Sequence, residues 1–240
     1  MTNHSAARLT GVLFIIATVA DLLGAAARPD LTGTDYLTEV SAQGDRVAAG
    51  ALLLLFAAFA CAGIAISMYP ILRKANAGMA LGSVVFRTIE SVMYVIAVVS
   101  LLSLLTLGQQ LVSTGAERAS LGAVGGLLLS LREHASLAGV FAFCVGAFLY
   151  YSALFQSRLI PRWLSGWGIA AIILMTTAAL LALFNNDAVT GYAPLALPIF
   201  LQEMVMAVWL IAKGFNQTAV AAASGVETSK WQAAASGSAA

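Results

Sequence analysis

The stretch of this chain that determines its fold is GMALGSVVFRTIESVMYVIAVVSLLSLLTL, residues 78–107. It is longer than the ~20 apolar residues that a helix needs to cross a hydrocarbon core ~30 Å thick. It also contains Arg87 and Glu90, at a depth where a charged side chain costs at least ~2.5–3.5 kcal/mol. We therefore expect a membrane-spanning helix whose two charged side chains face protein rather than lipid.

The composition of the whole chain agrees with a membrane protein. Hydrophobic residues make up 60% and charged residues only 10% of 240 residues, which leaves too little polar surface for a water-soluble domain. The net charge of +1 and the scattering of 12 Lys and Arg argue against a nucleic-acid partner. Cys61 and Cys144 lie in apolar runs without CxxC spacing, so we expect buried free thiols. The lipid bilayer is the expected solvent of this chain.

Further apolar runs predict an all-α fold, a polytopic transmembrane helical bundle of about six helices. Only helices and closed barrels satisfy their backbone groups in lipid, and the runs lack the two-residue alternation of barrel strands. Residues 1–8 are expected to form a cytoplasmic leader, 9–215 the six-helix domain, and 216–240 a disordered tail rich in Ala, Ser and Gly. The predicted spans are residues 9–27, 47–69, 78–107, 134–155, 163–184 and 195–212.

Two segments leave the number of spans open. Residues 9–27 follow Arg8 and contain Ala25 and Ala27, as a cleaved secretory signal would, but Asp21 interrupts the apolar region. Residues 119–131 are apolar but too short to cross, so we expect an interfacial or re-entrant helix there. A seventh crossing in that region would invert one end of the bundle.

The charges in the loops predict the orientation. The two short connections with Arg73 and Lys74, and with Arg158 and Arg162, carry no acidic residue, which is typical of the cytoplasmic side. This places the protein in the cytoplasmic membrane with both termini in the cytoplasm. Six cations then lie inside (Arg8, Arg73, Lys74, Arg158, Arg162, Lys213) and four outside (Arg28, Arg46, Arg118, Arg132).

Short motifs along the chain resemble a known family. Arg8-Leu9-Thr10-Gly11 has an RxxG spacing, and Glu203 precedes the motif WLIAKG at residues 209–214. Between them lie FRTIE at residues 86–90 and PRWLSG at residues 161–166. In this order they resemble the bacterial membrane-protein family called domain of unknown function 4386, over about residues 8–215. The resemblance implies a multi-pass fold in a bacterial inner membrane and no established activity.

Four ionisable residues inside the spans form the candidate site: Asp21, Arg87, Glu90 and Glu203. Arg87 and Glu90 are three apart, so they share a helix face and can pair. At ~1.5 Å per residue, the four lie ~12–18 Å from the starts of their spans and could share one central layer. Three acids facing one arginine would carry two excess negative charges when ionised. A proton shared within the cluster is therefore expected.

The sequence leaves three functions open. The cluster could line a polar cavity that binds a small solute, an ion or a lipid. It could instead be a structural ion pair in an accessory protein that contacts a membrane-protein partner or a second copy of itself. An intramembrane enzyme using the carboxylates is the third interpretation. No catalytic residue, metal or cofactor is assigned, because HExxH is absent and His4 and His134 are predicted at opposite membrane surfaces.

Overall fold

The computed structural model describes residues 3–31, 33–114, 118–223 and residue 225. Within these ranges the chain is helical and contains no strand, which confirms the predicted all-α class. A short 3-10 helix, Val189–Tyr192, precedes the last long helix. The α-helices are α1 (Asn3–Ala26), α2 (Tyr36–Ala42), α3 (Gly44–Ala75), α4 (Ala77–Thr114), α5 (Arg118–Ser157), α6 (Arg162–Asn185) and α7 (Ala193–Ala212).

Six of these helices, all except α2, are long and apolar enough to cross a membrane. The chain is therefore a multi-pass membrane protein, as the sequence predicts. The six helices form a ring, because each packs on its neighbour along the chain and α7 packs back on α1. A core of buried apolar side chains fills the bundle.

Close contacts of α1 explain how the ring closes. Thr10 in α1 shares a hydrogen bond of 2.7 Å with Ser67 in α3, and both side chains are buried. Gly11 faces α7 so closely that a Cβ atom at this position would lie 2.6 Å from the carbonyl oxygen of Ala207. The helix that could have been a cleaved signal is thus packed on both sides within the bundle. The RxxG motif supplies the small residue that this contact requires.

Helices α4 and α5 are longer than the predicted spans. They contain 38 and 40 residues, which correspond to ~57 and ~60 Å against a hydrocarbon core of ~30 Å. Residues 119–131 are helical, as predicted, and run without a break into the fourth span as the first part of α5. Their interfacial placement stays a prediction. The short amphipathic α2 lies outside the predicted spans and packs against α4 through its buried Leu37 and Val40.

The ends of the predicted domain differ slightly from the helices. Helix α1 begins at Asn3, inside the predicted leader of residues 1–8. Residues 217–223 are helical and Val220 is buried, although the predicted tail begins at residue 216. Residues 226–240 lie outside the described residues, so the disorder of the tail stays a prediction.

Candidate functional site

Arg87 and Glu90 form a buried ion pair on α4. Arg87 Nη1 donates a hydrogen bond of 3.1 Å to Glu90 Oε1 and lies 2.9 Å from Oε2. Each residue is only 2% exposed. The guanidinium also donates from Nε to the Cys61 carbonyl in α3 at 3.3 Å, and it lies over the Phe143 ring of α5 at 5.0 Å. Arg87 thus connects α4 with α3 and α5. The structure also contains the predicted pairing of Arg87 with Glu90 on one face of α4.

Glu203 on α7 lies beside this pair. Its Oε1 accepts a hydrogen bond of 3.3 Å from the hydroxyl of Tyr150 on α5. It is also within electrostatic reach of both Arg87 and Glu90. The structure therefore brings together three of the four predicted residues: Glu90 contacts Arg87 directly, and Glu203 lies within electrostatic reach of the pair.

Asp21 is separate from the other three. Its side chain is exposed on α1, and its charged neighbour is Arg28 just after the helix. Partial burial lowers the pKa of the Arg28 guanidinium from its ordinary value, while the Asp21 carboxylate acts in the opposite direction. A fully ionised cluster of Arg87, Glu90 and Glu203 therefore carries one excess negative charge, not the two expected from the sequence.

A second polar network lies next to the ion pair. Tyr151 donates a hydrogen bond to Oε1 of Gln202, and Gln202 Nε2 donates to the Leu164 carbonyl in α6 at 3.0 Å. Gln202 is completely buried, so α5, α6 and α7 are joined without an exposed amide. Leu164 belongs to the PRWLSG motif, which gives that motif a packing role.

Two adjacent tyrosines near the end of a predicted span, Tyr150 and Tyr151, lie in the core of the bundle. Their place near a span end is typical of aromatic residues at the headgroup level. Both Tyr150 and Tyr151 are instead fully buried, with ring centroids 4.4 Å apart. Tyr150 lies seven residues after Phe143 and four before Leu154, on one buried stripe of α5. That spacing was the available signal for a core position.

The surroundings of the ion pair are not completely covered. Glu203, Cys61 and Tyr94 lie within electrostatic reach of Arg87, and each of these residues is only partly buried. Arg87 and Glu90 themselves are covered. Among the residues that the structure describes, no group of three His, Cys, Asp or Glu side chains could hold a metal ion.

Fold and site together define a multi-pass helical membrane protein with a charged cluster buried in its core. The chain belongs to the family described as Domain of unknown function (DUF4386), which matches residues 9–214 and confirms the resemblance found in the motifs. No curated protein and no solved structure matched the chain. The family match therefore supports the architecture and names no reaction.

Proposed function

We propose that the protein binds a single small cation or a proton beside Glu203, and that this binding serves ion or solute movement across the membrane. The observation that carries the proposal is the charge balance of the cluster. Glu90 pairs with Arg87, and Glu203 lies within electrostatic reach of the same guanidinium, so the ionised cluster carries one more negative than positive charge. An uncompensated charge at this depth costs at least ~2.5–3.5 kcal/mol, and one proton or one monovalent cation would remove that cost.

The two carboxyls differ in how firmly they are held. Glu90 is covered and in direct contact with Arg87, so it serves as the fixed counter-charge. Glu203 is half-buried and accepts its hydrogen bond from the neutral hydroxyl of Tyr150. The other groups that face it are Arg87 and Glu90 from α4, Cys61 from α3, and Tyr151 from α5. Glu203 is therefore the acid that would exchange its proton or cation.

Neutralising Glu203 tests this proposal. In proteoliposomes, we expect Glu203→Gln to lower proton or monovalent-cation flux at least ~tenfold, the equivalent of one contact of ~1.4 kcal/mol to a charged group. The thermal midpoint should change little, because the amide has a similar volume and still accepts a hydrogen bond from Tyr150. Flux is measured with an entrapped pH-sensitive dye and with Na⁺ or K⁺ gradients, across a range of pH.

The matched control is Asp21→Asn, which removes one intramembrane acid outside the cluster and should keep wild-type flux. A wild-type protein with no flux and no cation binding over this range would contradict the proposal. Equal losses in Glu203→Gln and Asp21→Asn would contradict it as well. A loss of stability in Glu203→Gln without a separable transport defect would favour an accessory protein with a structural ion-pair cluster.

We also propose that the protein lies in the cytoplasmic membrane with both termini in the cytoplasm. The short α3–α4 and α5–α6 connections, with their cations and no acid, support this orientation. In a background without Cys61 and Cys144, we expect Lys74→Cys and Arg158→Cys to resist a membrane-impermeant thiol reagent in intact cells. Asp187→Cys, in the exposed α6–α7 connection at the other end, is the positive control. If Lys74→Cys and Arg158→Cys were labelled and Asp187→Cys were not, the orientation would be the opposite of the one proposed.

A further inference from the structure

A groove with a basic rim lies at the end of the bundle that carries the N-terminus. It has a volume of about 640 Å³ and is formed by the α5–α6 connection and the residues that follow α7. We call it the basic groove, after the exposed side chains of Arg158, Arg162 and Lys213 that line it. Trp209 and Phe215 contribute apolar surface to the same groove.

The three cations of the basic groove are not paired with an acid in the part of the chain that the structure describes. Within the described ranges, no carboxylate lies at salt-bridge distance from any of them. The guanidinium of Arg162 lies over the ring of Phe155 at 5.2 Å, a contact that holds it at the rim and leaves its charge uncompensated. Three unopposed positive charges around one concave surface favour an anionic ligand.

The backbone around the basic groove is well fixed. The N–H of Asn216 donates to the Leu159 carbonyl at 2.9 Å and so ties the residues after α7 to the α5–α6 connection. Gly214 ends α7 with a φ of 72°, which favours glycine, and its N–H donates to the Trp209 carbonyl at 3.3 Å. The groove therefore exists before a ligand arrives, which lowers the entropic cost of binding.

Tryptophans at the rim locate the groove relative to the bilayer. Trp163 is 57% exposed, and its ring meets Trp209 edge to face with centroids 6.4 Å apart. Exposed tryptophans at the ends of spans prefer the headgroup level. The groove thus opens where phospholipid phosphates lie, and a basic pocket between transmembrane helices is suited to anionic headgroups.

We propose that the basic groove binds the phosphate of an anionic phospholipid. Arg158 and Arg162 supply planar forks that can hold phosphate oxygens in pairs, and Lys213 supplies a point charge. The acyl chains would leave past Trp163 along the lipid-facing surface of α6. Lys213 lies ten residues beyond Glu203, about 15 Å along the helix axis at ~1.5 Å per residue. The proposal does not depend on cation binding at Glu203.

Lipid binding to the full chain tests the proposal. The protein is placed in phosphatidylcholine nanodiscs with a small fraction of spin-labelled phosphatidylglycerol or, for comparison, spin-labelled phosphatidylcholine. Wild-type protein should immobilise phosphatidylglycerol preferentially. Arg158→Gln, Arg162→Gln and Lys213→Gln should each lower this preference about fivefold, as expected for one cation near an anionic lipid surface.

Two control variants distinguish lipid binding in the basic groove from non-specific attraction to the positively charged end of the bundle. Arg73→Gln removes an exposed cation at the end of α3, outside the groove, and should keep the preference. Arg162→Lys keeps the charge and should retain part of the preference, which distinguishes lost binding from lost folding. Equal effects of Arg73→Gln and the groove variants would overturn the proposal. Displacement of the lipid by millimolar inorganic phosphate would overturn it too, because the groove would then serve a soluble anion.

Discussion

Arg87→Ala is expected to lower the free energy of unfolding by about 3–5 kcal/mol, because it leaves the buried Glu90 carboxylate without a counter-charge. The substitution also removes the hydrogen bond to the Cys61 carbonyl and the contact with Phe143. The thermal midpoint in detergent should fall more than for any exposed arginine. Arg73→Ala, on the rim of the same bundle, should stay within about 0.5 kcal/mol of wild type.

Coupling to Glu203 distinguishes a shared cluster from an isolated pair. If both carboxyls respond to Arg87, the double variant Arg87→Ala/Glu203→Gln should lose less stability than the sum of the two single variants. Arg87→Ala/Glu90→Gln should likewise recover part of the loss. Strictly additive effects of Arg87→Ala and Glu203→Gln would show that the two residues are uncoupled, and the cluster would lose its support.

Gly11→Leu is expected to open the contact between α1 and α7. A Cβ atom at position 11 would lie 2.6 Å from the Ala207 carbonyl oxygen and 2.7 Å from Ile211, so a helix must shift. Overpacking of this kind costs about 1–3 kcal/mol and sometimes more. The effect is measured as the thermal midpoint in detergent and as protease accessibility of α1.

Gly126→Leu is the matched control for Gly11→Leu. Gly126 lies in α5 with no atom near its would-be Cβ, so leucine there should be tolerated. Both variants exchange the same residue types inside a helix, and their difference isolates the close contact. Equal stability of the two variants would contradict the tight closure of α1 on α7.

The sequence predicts the six spans well because apolar length is a local property. The ion pair on α4 is also local, since positions 87 and 90 share a helix face whatever surrounds them. The apolar runs predict neither α2 nor the outer parts of α4 and α5. The outer parts of α4 and α5 exceed the length needed to cross a bilayer, which is all that a span criterion tests. The α2 helix gains its stability from packing on α4.

Which of the ionisable residues come together was harder to predict than the spans, because the depth of a residue in the membrane does not determine where its side chain points. Asp21 lies at a suitable depth, yet it is exposed on α1 beside Arg28. Glu203 faces the interior because it shares a helix face with the buried Ile199, Met206 and Leu210. Helical spacing does not separate the two acids either, because Asp21 lies four residues after the buried Ala17 and three before the buried Gly24 on α1.

The contact between the first and last helices has a consequence for biogenesis. Helix α1 is synthesised before α7. The surface around Gly11 that contacts α7 is therefore uncovered until α7 has been made, while α1 can already pack on α3. Until then, the RxxG face of α1 is open to other membrane helices or to an insertion chaperone. The ring of helices can close only after α7 has been synthesised. A nascent chain arrested before that point would expose the α7-contacting surface of α1 to the quality-control machinery of the membrane.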